Sequence, residues 1–196
     1  MSERAAALPP LDGPPPRIRA RNIVWVALAL LVMVAAILGD DLWLLNFVHV
    51  IAGVLWTGID LFMGFVVGPI LRRVDVVTRR AIVVRLMPRM LFLMPTLSTV
   101  TGTAGWFLAE RRGFLDLPFP EFWWVAAALV IVTVLTVQGL GVLLPINLRV
   151  FFEFRKDQPD LERIGGWMRT YVRVVAFQGV MQVAIIVIMA RFVTGF

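Results

Sequence analysis

LWLLNFVHVIAGVLWTGIDLFMGFVVGPIL, residues 42–71, carries one histidine, one carboxylate and no basic residue in thirty positions. As a helix it is about 45 Å long, more than the ~30 Å hydrocarbon core of a bilayer. A run this apolar must cross a membrane, tilting or protruding to take up the excess. Four further runs read the same way: 23–38, 91–108, 122–146 and 172–192. The run at 91 is preceded by Pro88 and interrupted by Pro95, and the run at 122 continues as a cytoplasmic extension through 154. The expected fold is all-α, an integral membrane bundle of about five transmembrane helices over residues 22–196. Residues 1–21, with Pro9, Pro10, Pro14, Pro15 and Pro16, offer little apolar surface to order and read as a disordered cytoplasmic tail. The arginines before residue 23 would also suit a signal peptide. No small-residue cleavage site precedes Asp40–Asp41, so the first run is kept as a helix.

Composition agrees. The chain is 60% hydrophobic and 16% charged, with mean hydropathy +0.86. Soluble domains run nearer 45–50% apolar and about 25% charged. Cysteine is absent, which excludes disulfides, thiolate metal sites and iron–sulfur clusters. No phosphate loop, nucleophile elbow or zinc-protease motif occurs.

The net charge of +6 comes almost wholly from arginine. In a soluble chain it could mean nucleic acid, but here the arginines occupy the connections between apolar runs, and no nucleic-acid partner is expected. Sixteen of the 19 basic residues fall in the N-terminal tail and in the second-to-third and fourth-to-fifth connections; Arg111, Arg112 and Arg191 are the rest. The positive-inside rule then predicts a multi-pass protein of the inner (cytoplasmic) membrane, N-terminus cytoplasmic and C-terminus outside. Trp106, Trp123 and Trp124 would form the outer interfacial belt, Trp167 and Tyr171 the inner one. Arg72, Arg73, Arg79 and Arg80 are placed to meet anionic lipid headgroups. Other membrane subunits or a homodimer are the remaining partner classes.

Within 42–71 the polar residues share a face. At 100° per residue, Gly53, Trp56 and Asp60 project within about 40° of His49, with Gly64 slightly further round. Glycines there let a neighbouring helix or a flat cofactor approach the backbone. A carboxylate at mid-membrane costs about 2.5–3.5 kcal/mol on insertion scales, so Asp60 should face the bundle interior. His49 and Asp60 lie ~16 Å apart along the axis, which makes them separate sites. Depth matching puts Met33, 101–105 and Met189 near His49. It puts Thr96, Ser98, Gln138 and Gln178 near Asp60, with Gln182 on the same helical face as Gln178. Met87, Met90 and Met94 recur on one face; thioethers can hold Cu(I), but such a stripe more often fills a core, and its depth separates it from His49.

The segment 47–69, FVHVIAGVLWTGIDLFMGFVVGP, resembles the histidine-bearing helix of a loose group of small bacterial membrane proteins. The group comprises the copper-resistance D family, HemJ-type protoporphyrinogen oxidases, the membrane domain of PuuD-type urate oxidases and a related integral-membrane family of unknown function. The shared positions are His49, Gly53, Trp56 and Gly58. In the haem-associated members the corresponding histidine is a proposed haem ligand, which the resemblance carries over to His49 alone. This chain has no second histidine, and its one lysine, Lys156, lies in a cytoplasmic connection.

Two functional expectations follow. In one, a b-type haem protein for electron transfer uses His49 as axial ligand, with Gly53 and Trp56 beside it. Met33, Met189, a symmetry-related His49 or nothing would be the second ligand. In the other, a non-catalytic membrane subunit or small transporter uses an intramembrane polar cluster of Asp60, Gln138 and Gln178.

Overall fold

The computed structural model describes residues 20–156 and 158–195. All of the expected tail except Ala20 and Arg21, which lie in the first helix, falls outside them, as does Phe196. Five helices carry the fold, and no strand occurs among the described residues: α1 (Ala20–Leu38), α2 (Leu42–Arg73), α3 (Val76–Arg111), α4 (Phe122–Phe154) and α5 (Leu161–Thr194). The last four are each long and apolar enough to span a membrane; Asn22–Leu38 within α1 is shorter. This is a multi-pass membrane protein. Val54, Phe65, Val130, Val180 and Val187 each expose more than half of their surface, as lipid-facing positions do.

Two helices are longer than the apolar runs suggest. α3 starts at Val76 rather than near residue 91, so Pro88 and Pro95 lie inside it. Asp75 makes that start possible: its carboxylate accepts the Val77 and Thr78 N–H groups and the Thr78 hydroxyl. Proline inside a membrane helix is tolerated when neighbours re-satisfy the carbonyls it frees. α5 starts at Leu161, where Asp160 accepts the Arg163 N–H. At the other end of α3, Gly113 takes a left-handed φ of 68°, which turns the chain out of the helix.

α2 and α4 each contain one π-turn, Met63–Val67 and Gly139–Leu143. Each is followed within two residues by a proline, Pro69 and Pro145. A proline lacks the N–H and crowds the carbonyl four residues back, and widening the turn relieves both.

α2, α3, α4 and α5 form a four-membered ring of packed helices, and α1 lies outside it against α2 and α3. Met33, Ala36, Leu45, Val48, Ala52, Val100, Ala104 and Leu108 form one apolar core. Val83, Val84, Ile146, Val150, Phe151, Phe154 and Ile164 form another. The first core is built from α1, α2 and α3 and the second from α3, α4 and α5, and Asp60 on α2 lies outside both.

Three arginines of α3 cap other helices. Arg79 donates to the Leu71, Arg72 and Val74 carbonyls at the end of α2. Arg80, 4% exposed, donates to the Phe154 and Lys156 carbonyls at the end of α4. Arg111 donates to the Ile37 and Gly39 carbonyls at the end of α1. Arg79 and Arg80 are thereby committed within the protein, and of the four arginines expected to meet headgroups Arg72 and Arg73 remain exposed.

Candidate functional site

The glycine-bearing face of α2 meets two different partners, as the separation of His49 from Asp60 requires. Its upper half faces α3. His49 Nδ1 lies 2.9 Å from the Thr101 carbonyl, and Thr101 Cγ2 would stand 3.3 Å from a Cβ on Gly53. The imidazole edge is seated on Gly105: a Cβ built there would come within 2.6 Å of Cε1, 2.8 Å of Nδ1 and 3.6 Å of Nε2. The carbonyl on Nδ1 leaves Nε2 as the nitrogen free to ligate a metal. A porphyrin on Nε2, however, needs lateral room on the side where α3 already lies. Met33 is 7% exposed and packed into the α1–α2–α3 core, and Met189 is half-buried on α5 with no bond to His49. As packed, these residues do not fit haem b.

The lower half faces α5. Gly64 meets Val175 and Gly179 meets Leu61, so small residues bring the two backbones close. That approach lets Gln178 and Gln182, one turn apart, both reach Asp60. Their amide N–H groups donate to the same carboxylate oxygen, Oδ2, at 2.5 Å and 2.7 Å. The Trp56 indole N–H is within hydrogen-bonding reach of the same carboxylate. No salt bridge among the described residues involves Asp60. The expected pairing of Asp60 with Gln178 is present, and Gln182 joins it. Gln138 does not: its Oε1 is buried without a partner, and Asp60 is not bonded to it. Thr96 and Ser98, also matched to Asp60 by depth, instead bond back to the Phe92 and Pro95 carbonyls of their own helix.

Asp60 lies on the wall of a cavity of about 80 Å³ at the centre of the four-helix ring. α2 contributes Trp56, Asp60 and Met63, and α5 contributes Tyr171 and Gln178. From α3 come Met87, Met90, Met94 and Pro95, and from α4 Gly139 and Asn147. The two π-turns and Pro95 all border it, so three of its four helices are irregular there. Tyr171 turns into this cavity and shares a hydrogen bond with the Asn147 amide, instead of standing in the inner interfacial belt. Trp167 packs against the second core. The methionine stripe thus belongs with Asp60, an association that depth relative to His49 could not reveal.

The missed members had faint signals. Asn147 and Tyr171 are polar groups near span ends, where an interfacial role competes, whereas the spacing already puts Gln182 on the Gln178 face. Comparison with family models, with curated proteins and with solved structures finds no match to this chain, so the site stands on its own geometry.

Proposed function

We propose that this chain is a small membrane-embedded transporter, or a non-catalytic coupling subunit, that handles protons or monovalent cations through Asp60. One observation carries the reading: a carboxylate inside a four-helix bundle is held by neutral donors alone and opens onto a central cavity. An ionised carboxylate at that depth without a cationic partner is expensive, and such residues mark ion pathways and proton relays. Proline and π-turn irregularities around the cavity supply the freed backbone groups and the local pliancy that such a pathway uses.

The test is reconstitution into vesicles enclosing a pH-sensitive dye, under an imposed proton or monovalent-cation gradient. Wild-type protein should dissipate the gradient faster than protein-free vesicles, and Asp60→Asn should return the rate to the protein-free level. Equal rates for Asp60→Asn and wild type would overturn the assignment.

A haem reading of His49 is supported by the Thr101 carbonyl on Nδ1, and it requires α3 to withdraw from Gly105. Its signature would be a Soret band lost in His49→Ala. Protein purified from haem-replete cells should lack that band.

A further inference from the structure

We infer that the Asp60 cavity binds a protonated primary amine, an ammonium head on a short alkyl chain. The inference rests on the cation-handling reading above and names its substrate class.

The argument starts from an imbalance of donors and acceptors. Gln178 and Gln182 both spend amide N–H groups on Asp60 Oδ2, which turns their carbonyl oxygens elsewhere. Both oxygens are buried without a partner, in residues 3% and 1% exposed, and Asn147 Oδ1 is in the same condition. Flipping either glutamine amide cures nothing, because it would aim a carbonyl oxygen at a carboxylate. A buried acceptor without a donor is costly, and folded proteins keep few of them. Asp60, Gln178 and Asn147 line the one cavity. Gln182 does not line it, so the cavity wall carries a carboxylate without a cation and two amide oxygens, of Gln178 and Asn147, without a donor.

Water brings donors without charge. Sodium and potassium bring charge without donors. The carboxylate and the unpaired amide oxygens could coordinate them, but beyond the Tyr171 hydroxyl the rest of the wall is the Trp56 indole, thioethers and leucines, too few oxygens to complete an alkali ion's shell. A primary ammonium brings both, with three N–H groups for the carboxylate and amide oxygens. Aromatic faces attract such a cation, and thioethers accommodate its alkyl part. A volume of about 80 Å³ limits that part to a few carbons.

The experiment is thermal unfolding of the detergent-purified protein in methylammonium chloride. Sodium, potassium and tetramethylammonium chlorides at equal ionic strength are the comparisons. Methylammonium should raise the midpoint saturably and the other three should not. The rise should vanish in Asp60→Asn and in Gln178→Met, each checked for unchanged helical circular dichroism; Gln178→Met keeps the volume and removes the unpaired oxygen. An equal saturable rise with sodium or potassium that Asp60→Asn abolishes would overturn the amine and leave the carboxylate site standing. An equal rise with tetramethylammonium, which has no N–H, would overturn the donor argument. No rise with any cation, or a rise that persists in Asp60→Asn, also overturns the inference, while the gradient assay judges the carboxylate reading separately.

Discussion

Gly105 and Asp60 are the two positions where a single side chain decides what its neighbourhood can hold. A methyl group at Gly105 would overlap the His49 ring, so Gly105→Ala must push the imidazole off the Thr101 carbonyl. The expected cost is about 1–3 kcal/mol, read as a lower unfolding midpoint in detergent. Gly102→Ala, where nothing lies within 4 Å, should cost nothing. In a His49→Ala background the penalty at Gly105 should disappear, which would identify the ring as its cause. At Asp60, Asn retains a hydrogen-bonding acceptor of the same shape, whereas Leu strands both glutamine N–H groups. Asp60→Asn should unfold near the wild-type midpoint, and Asp60→Leu should lose about 1–3 kcal/mol for each donor left unpaired. The Asp60–Gln178 pairing was legible because both residues stand at one depth in runs that are otherwise almost wholly apolar. Gln138 stands at that depth too. The first part of α4, Phe122–Gln138, is apolar all round, so its sequence carries no information about which way Gln138 turns.

Helix ends carry most of the charged interactions in this protein. Replacing Arg80 by Gln leaves the buried Phe154 carbonyl, and the partly buried Lys156 carbonyl, short of donors and should cost about 1–3 kcal/mol. The exposed Arg111 should cost at most about 1 kcal/mol on the same change, since water replaces it. Asp75 adds a pH dependence. The Thr78 hydroxyl above all, with the Thr78 and Val77 N–H groups, holds its carboxyl below the usual carboxylate range. A folded-state value below the unfolded ~3.9 means the cap is fully effective above about pH 4. Its contribution is lost as pH falls through the lower folded value. Hydrogen exchange at Val77 and Thr78 should accelerate over that acidic range, and Asp75→Asn should flatten the dependence. The runs at 42 and 122 were legible in register and length because hydropathy falls sharply at their ends. The early starts of α3 and α5 were not, because those first turns are mixed in polarity and only the Asp75 and Asp160 caps announce them. The π-turns were equally hidden: Pro69 and Pro145 say that a helix must adjust, and not how.

At the scale of the whole molecule, two apolar cores share α3, and all four helices of the ring contribute to the wall of the Asp60 cavity. The ends of α1 and α3 meet through Arg111, while α2 and α4 end beside the start of α3 through Arg79 and Arg80. Successive helices therefore run in opposite directions. Combined with the sixteen-to-three division of basic residues, this arrangement predicts termini on opposite faces. Alkaline phosphatase fused after Phe196 should be active and a fluorescent protein fused there dark; the reverse would mean that α1 or α5 fails to cross. The same arginine contacts have a mechanical consequence. α3 is a beam clamped at both ends, and sliding it by one helical turn, about 5.4 Å, would uncap three neighbours together. Such sliding would break the buried Arg80 contacts first, so bowing is the cheaper deformation. The proline-bearing section of α3, Pro88 to Pro95, borders the Asp60 cavity, so any bowing of the beam there would reshape the cavity while its two ends stay in place.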